Sequence, residues 1–455
     1  MGESELMAYQ TGQVVQVTIT DVAHGGWCVA RPDDGPVVFV RHALPGETIL
    51  ARITEITSRL ARADAVQILE PSPDRVQPPC PYAHPDGCGG CDWQHAALPA
   101  QRLLKAAVIR QQLRRMAGID REVTVEPLPG DTDVSTDTGA GPGPAEPGLG
   151  WRTRVQFAVR PDGVAGLRAH RSHTVIDVQQ CLIAHPAITD LGVTGLRWPG
   201  AISVEALVAP GTKERAVVIT PGGKRGQATV TRDRSRSVEE IAADAVLRRS
   251  GRNLTPVRGR SYLSQRAAGR DWRVSAGVFW QVHPAAADVL TSAVMTGLEP
   301  GTGDVALDLY CGAGLFAGSL APAVGPGGAV IGVEGDSAAV RDARHNLRDW
   351  PWVRIHRGDV GAVLSRGGLP PSRLVVADPP RAGLAREVVD YLGTSRNGAA
   401  RFTYVSCDPA TLARDIGLLT ERGWDLVDLR GFDAFPMTHH VECVATLVNT
   451  AAQPG

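Results

Sequence analysis

The segment Tyr404-Val405-Ser406-Cys407-Asp408-Pro409 sets a cysteine just past a run of strand-forming residues and ahead of a helical stretch. An unperturbed thiol, with a pKa of about 8.5, is only a few per cent ionised at pH 7, and a helix N-terminus raises that fraction. Cys407 is therefore a candidate nucleophile, although the segment standing alone reads better as a buried, inert cysteine. Asp378-Pro379-Pro380-Arg381 follows another short apolar run and must form a stiff, extended loop. An acid at a strand end beside two prolines suits an active site, and as a bare motif it equally suits a structural turn. In His439-His440-Val441-Glu442-Cys443-Val444-Ala445-Thr446-Leu447 a carboxylate opens an apolar strand. Burying it unpaired is costly, which marks Glu442 as a candidate base.

A second group suggests a cofactor. Asp308-Leu309-Tyr310-Cys311-Gly312-Ala313-Gly314 is a strand ending in a glycine-rich turn. Gly312 and Gly314 let the backbone turn tightly and approach a ligand at the carboxyl ends of the strands, ahead of a helix N-terminus. Glu334 stands at the end of the next strand, twenty residues beyond Gly314, where an acid accepts hydrogen bonds from ribose hydroxyls. The third glycine, Gly318, comes one residue too late for a dinucleotide fingerprint, which modestly favours S-adenosylmethionine over NAD. Asp359, after a third strand, suits an adenine edge and a turn equally.

A third group suggests a metal. Cys80, Cys88 and Cys91 form C-x7-C-x2-C, and clustered cysteines in a reducing compartment call for a metal rather than disulfides. The fourth ligand must come from afar, and Cys181 is the candidate. Spacing alone divides zinc from iron–sulfur evenly. Cys28, Cys311 and Cys443 read as packed or loop residues.

The elements that must hold these groups fall into three zones. Residues 12 to 70 carry several short strands with Asp33-Asp34-Gly35 and Pro45-Gly46 turns, the pattern of a small OB-like barrel, an architecture that commonly binds oligonucleotides. Residues 102 to 116 form a helix, 131 to 150 a flexible loop poor in core-forming residues, and 151 to 274 mainly strands. From Gly301, strands alternate with helices, as in a doubly wound α/β sheet. The expected domains are 7–72 (barrel), 73–130 with 151–275 (central, mainly β, carrying the cysteines) and 276–455 (Rossmann-like).

Size fits this: 455 residues suggest about three domains. A hydrophobic fraction of 43% with 21% charged residues is that of an ordinary globular chain. No signal peptide opens the chain and no run of about twenty apolar residues occurs, so a cytoplasmic, membrane-free, monomeric protein is expected. Net charge is −1, but residues 213–273 hold fifteen Lys/Arg against six Asp/Glu, an excess suited either to RNA phosphates or to a solvated face.

Taken in order, FWQVHP (279–284), LDLYCGAG (307–314), VEGD (333–336), DPPRAG (378–383), YVSCDPATLARD (404–415) and HHVECVATL (439–447) resemble the RNA uridine-5 methyltransferase family. The N-terminal zone, with LPGE (44–47), looks like the TRAM domain often fused to it. The resemblance covers nearly the whole chain except 131–150. It implies S-adenosylmethionine-dependent methylation of uracil carbon 5, with Cys407 as nucleophile and Glu442 as base. It further implies that Gln281, Tyr310, Glu334, Asp359 and Asp378 line the cofactor and target base. It turns the cysteine cluster towards [4Fe–4S], with Cys80, Cys88, Cys91 and Cys181 as ligands, and the substrate towards 23S rRNA. A transfer RNA is the alternative within this chemistry, and a non-catalytic RNA-binding protein the alternative outside it. Two departures stand out: His283 where the family commonly has Asn, and Leu315 where a polar cofactor contact is frequent.

Overall fold

The computed structural model describes residues 9–32, 35–57, 60–131, 147–223, 241–394 and 397–450. Most of the 131–150 loop therefore lies outside the described residues, as do Arg232, Arg234 and Arg236 of the basic stretch.

Strands β1 (Val14–Ala23), β2 (Trp27–Ala30), β3 (Val37–Arg41), β4 (Thr48–Ile56) and β5 (Leu60–Glu70) close a barrel in the order β1-β2-β3-β5-β4. Alternation drives it: in β4 and β5 every second residue is buried, so Ile49, Ala51 and Ile53 face Ala61, Ala63 and Ala65 inside. Glu47, fully buried behind the Pro45-Gly46 turn, is satisfied by Arg75, whose guanidinium donates to both carboxylate oxygens at 2.5 and 2.7 Å, and by the Leu44 and Ser72 N–H groups.

The central zone is a seven-stranded sheet. It contains β7 (Arg154–Val159), β8 (Ala165–Arg168), β9 (Val175–Ile176), β10 (Ala201–Ala209), β11 (Glu214–Pro221), β12 (Ala245–Ser250) and β13 (Asn253–Arg258), in the order β13-β12-β11-β10-β7-β8-β9. The hairpin β14 (Tyr262–Ala267) and β15 (Arg270–Ser275) leads from it to the last sheet.

That sheet has eight strands. In the order along it they are β18 (Val353–Arg357), β17 (Ala329–Glu334), β16 (Val305–Leu309), β19 (Leu374–Ala377), β20 (Arg401–Ser406), β22 (Glu442–Asn449), β21 (Trp424–Asp433) and β6 (Val125–Pro127). The first five are parallel; β16, β17 and β19 are largely apolar, as expected of strands covered on both faces, whereas the edge strand β18 carries Arg354, His356 and Arg357. β22 is antiparallel to β20. Two elements lie elsewhere than their sequence neighbours suggest. Helix α1 (Leu98–Ala117) and β6 join this last sheet, α1 burying Ile109 and Leu113 in the same core as Leu412 and Ile416. None of the described helices is long and apolar enough to cross a membrane.

Candidate active site

Parallel strands deliver their carboxyl ends to one edge, and the chemistry gathers there. β16 ends at Tyr310, which takes a φ of +63°, an uncommon value outside glycine, followed by Gly312 at +54° and Gly314 at +95°. A Cβ on Gly314 would sit 2.8 Å from the Leu347 side chain, so both conformation and space require glycine there. Glu334 fastens this turn: one carboxylate oxygen accepts from Gly312 N–H at 3.0 Å and the other from Asp336 N–H at 2.6 Å. Asp359 accepts from Ala362 N–H at 2.9 Å as the N-cap of the following helix. Its turn role is thus real, and it stands just past the carboxyl end of β18, whose Arg357 pairs in register with Glu334.

Beneath the turn lies an acid that sequence reading passed over. Asp308 is fully buried; one oxygen accepts from Ala317 N–H at 2.8 Å, the other has no partner, and burial pushes the carboxyl up to about 8. The signal was present as a single acid inside the apolar run Val305–Leu309.

The register of β20 and β22 pairs Ser406 with Cys443. The next antiparallel step places Cys407 opposite Glu442, which brings the two residues singled out in sequence face to face. Asp378 begins where β19 stops, its N–H directed to Leu309 O at 3.4 Å. Burial raises Asp378 to about 7, and burial together with the Asp378 charge lifts Glu442 well above its ordinary value. Cys407 is pushed up to about 12 by burial and by Glu442, while Arg381 pulls it down. Burial thus favours the neutral forms of Asp378 and Glu442 and the protonated thiol, while Arg381 favours the thiolate.

Arg381 is itself held by residues the sequence did not flag. It reaches His440 Nε2 at 3.2 Å, and burial, His439 and Arg381 press His440 to about 3, leaving that nitrogen neutral and able to accept. The His439 and His440 rings lie 4.0 Å apart, and His439 Nδ1 meets Asp92 at 2.6 Å. Behind Cys407, Asp408 caps the helix Pro409–Thr420, accepting from Ala410 and Thr411 N–H. Burial opposes its charge, yet His24 of the barrel, 3.2 Å away, and these N–H groups hold it down at about 2.

The remaining expected residues are placed as follows. Gln281 is buried and lines a small pocket with Thr153, Leu207 and Val274. His283 forms a buried pair with Asp131, Nε2 to carboxylate 2.8 Å, stacks on Trp151, and accepts from Ala285 N–H. Leu315 packs into the core under the glycine turn, which accounts for an apolar residue at that position.

Cys80, Cys88, Cys91 and Cys181 all line one cavity of about 540 Å³ with Tyr82 and Arg152. Burial raises the Cys88 thiol to about 11, with Cys181 and Cys80 adding to it, so the four sense one another although 90 residues separate the third from the fourth. Among the described residues no three His, Cys, Asp or Glu side chains stand in a metal-holding arrangement. Cys28, Cys311 and Cys443 are buried, as expected of packed residues.

A Rossmann-like sheet with an acid-lined glycine turn, joined to a closed oligonucleotide-type barrel, defines an RNA methyltransferase. Residues 9–66 match the TRAM domain and residues 372–450 the tRNA (uracil-5-)-methyltransferase family. An RNA methyltransferase of Streptomyces avermitilis is 50% identical over 444 residues, covering 96% of this chain and 98% of that one. A Bifidobacterium longum RNA methyltransferase is 34% identical, covering 96% and 97%. Among solved structures, the tRNA (uracil-54, C5)-methyltransferase of Pyrococcus abyssi in complex with S-adenosyl-L-homocysteine superposes with a TM-score of 0.69 at 22% identity, covering 95% of this chain and all of that one. The chain belongs to the RNA methyltransferase family of these relatives, with its residues 372–450 matching the uracil-5 methyltransferases.

Proposed function

We propose that the chain methylates carbon 5 of a uridine in 23S rRNA through a covalent adduct at Cys407, with Glu442 as the base. The placement of Cys407 opposite Glu442 across β20 and β22 carries this reading. Uracil carbon 5 is too weak a nucleophile to attack a sulfonium methyl directly. When the Cys407 sulfur bonds to carbon 6, the ring electrons shift to give an enolate nucleophilic at carbon 5. S-adenosylmethionine supplies the methyl group. Carbon 5 then bears both methyl and hydrogen; Glu442 takes that proton, the carbon 5–carbon 6 double bond re-forms, and the thiolate leaves. A positioned base contributes roughly 10²–10⁴-fold to such a step. In this reading Arg381 favours the thiolate, Asp378 faces the target base, and Gln281, Tyr310, Gly312, Gly314, Glu334 and Asp359 hold cofactor or base.

The division of labour follows: 7–72 grips RNA, 276–455 performs transfer, and the central residues join them. The four cysteines gather at one cavity, and the resemblance assigns them a [4Fe–4S] cluster, from which methyl transfer itself requires no electron. Iron with acid-labile sulfide in anaerobically purified protein is the expected finding; zinc in their place would refute the cluster. A tRNA substrate is the second reading, favoured by the names of the matching family and of the Pyrococcus enzyme.

Incubation with methyl-labelled S-adenosylmethionine and either rRNA or tRNA discriminates them. Label on rRNA is expected, Cys407→Ala should lose it entirely while still binding cofactor, and 5-fluorouridine-substituted rRNA should trap a stable adduct. Normal turnover by Cys407→Ala would dispose of the nucleophile.

A further inference from the structure

A second cavity, of about 430 Å³, opens where the barrel meets the turn between β8 and β9, and none of the residues around Cys407 lines it. Trp27, Arg41 and Arg62 come from the barrel side, His170 and Arg171 from the turn. The acids in its wall are already engaged: Asp64 by Arg41 at 2.9 Å, Glu55 by Arg62 at 2.5 Å and Asp86 by Arg52 at 3.4 Å. Arg171 is exposed, takes a φ of +48°, and forms no ion pair among the described residues. Its guanidinium lies 5.6 Å from the Trp27 ring centre and that of Arg62 5.7 Å. His170 sets its ring against Trp27 at 6.0 Å, and its Nε2 is buried without a hydrogen-bond partner.

The cysteine-rich loop fixes this turn. Cys88 bridges to Ala169, Gly89 N–H donates to Arg168 O at 3.0 Å, and a Cβ on Gly89 would lie 2.5 Å from the His170 backbone. Ala169, His170 and Arg171 therefore line both cavities, and the turn that walls the cysteine cavity also faces this cleft.

We propose that this cleft is a second RNA contact, binding one unstacked nucleotide of the substrate away from the methylated uridine. Arg171 meets the phosphate, His170 Nε2 supplies a polar contact, and Trp27 with its guanidiniums forms the apolar, cationic wall. A guanidinium lying over a ring keeps its N–H edge free for phosphate oxygens, and aromatic faces with arginines are the usual surface for unpaired nucleotides. The volume is that of a small-ligand site. The inference rests on RNA being the substrate, and not on which RNA or on the covalent step.

The test is fluorescence anisotropy of a labelled single-stranded RNA of about 20 nucleotides over a range of salt concentrations. Arg171→Ala should bind about tenfold more weakly, with a salt slope shallower by about one, while the control Arg348→Ala, outside the cleft, keeps wild-type values. Methylation by Arg171→Ala should show a raised KM for RNA with kcat intact. Unchanged affinity and slope would overturn the proposal. So would inorganic phosphate binding to wild type but not to Arg171→Ala while the two proteins bind RNA equally; the cleft would then be a small-anion site. Absence of methyl transfer by the wild-type enzyme would strike the uracil reading and leave the binding measurement standing.

Discussion

At the residue scale the site poses an acid–base problem. With burial and Glu442 pushing the Cys407 thiol up to about 12, the thiolate is a small minority at pH 7. Glu442, lifted well above the ordinary carboxyl range, is a stronger base than a surface glutamate but must first lose its own proton. Both requirements run in the same direction. Each group becomes ionised as pH rises towards its raised pKa, so the rate at saturating RNA should climb from pH 6 to 9, by up to about tenfold per unit where thiol ionisation limits. Arg381 is the cation that opposes the thiol shift, so Arg381→Ala should slow methylation by roughly ten- to a hundredfold and displace the profile to higher pH, with Arg381→Lys recovering part. A flat profile shared by both proteins would show that Cys407 ionisation does not control the rate. The positions of Cys407 and Asp378 were legible in sequence because a residue just past an apolar run must emerge at a strand end, and that of Glu442 because a carboxylate opens the last apolar strand. The line from Arg381 through His440 and His439 to Asp92 was not, because Asp92 and His439 stand 347 residues apart and no local pattern joins them.

At the scale of elements, caps and turns place the side chains. Most strands and helices of the last sheet were visible in sequence, since short apolar runs and glycine turns are local signals. What stayed hidden was which elements meet: β6 and α1 precede the central sheet in sequence yet belong to the last one, a choice made by apolar faces that find each other in three dimensions. His283 has a similar explanation, since its partner Asp131 ends the described part of the long loop and also accepts from Gly148 N–H, tying the loop's two ends together. The barrel, too, touches the reaction centre, through His24 on Asp408, the cap of the helix directly behind Cys407. This contact is half-exposed and modest in energy, but it fixes the first turn after the nucleophile. His24→Ala should therefore lower kcat by about two- to fivefold with KM for S-adenosylmethionine unchanged, an effect of under about 1 kcal/mol. A change confined to RNA KM would instead make His24 an RNA contact.

At the scale of the molecule, buried polar links fasten the elements that the hydrophobic cores bring together, and one link is more demanding than the rest. Lys105 of α1 and Asp433 at the end of β21 are both buried, with Nζ 2.5 Å from the carboxylate and 3.0 Å from Phe435 O. Burial lowers the Lys105 pKa while Asp433 raises it, so the charge survives only as a pair. Such a pair adds little net stability compared with packed apolar groups, but removing one member strands the other in a dry interior at about 3–5 kcal/mol. Lys105→Met should accordingly lower the urea midpoint sharply. Adding Asp433→Leu should restore most of the loss, falling short by the unpaired Phe435 carbonyl, worth about 1–3 kcal/mol. The segment 433–440 that follows also carries Met437, whose N–H bonds Gln101, and the two histidines behind Arg381. If Lys105 serves to seat that segment, the repaired double variant will be stable yet still methylate slowly. A double variant as unstable as Lys105→Met alone would show that the lysine acts through packing rather than through its charge.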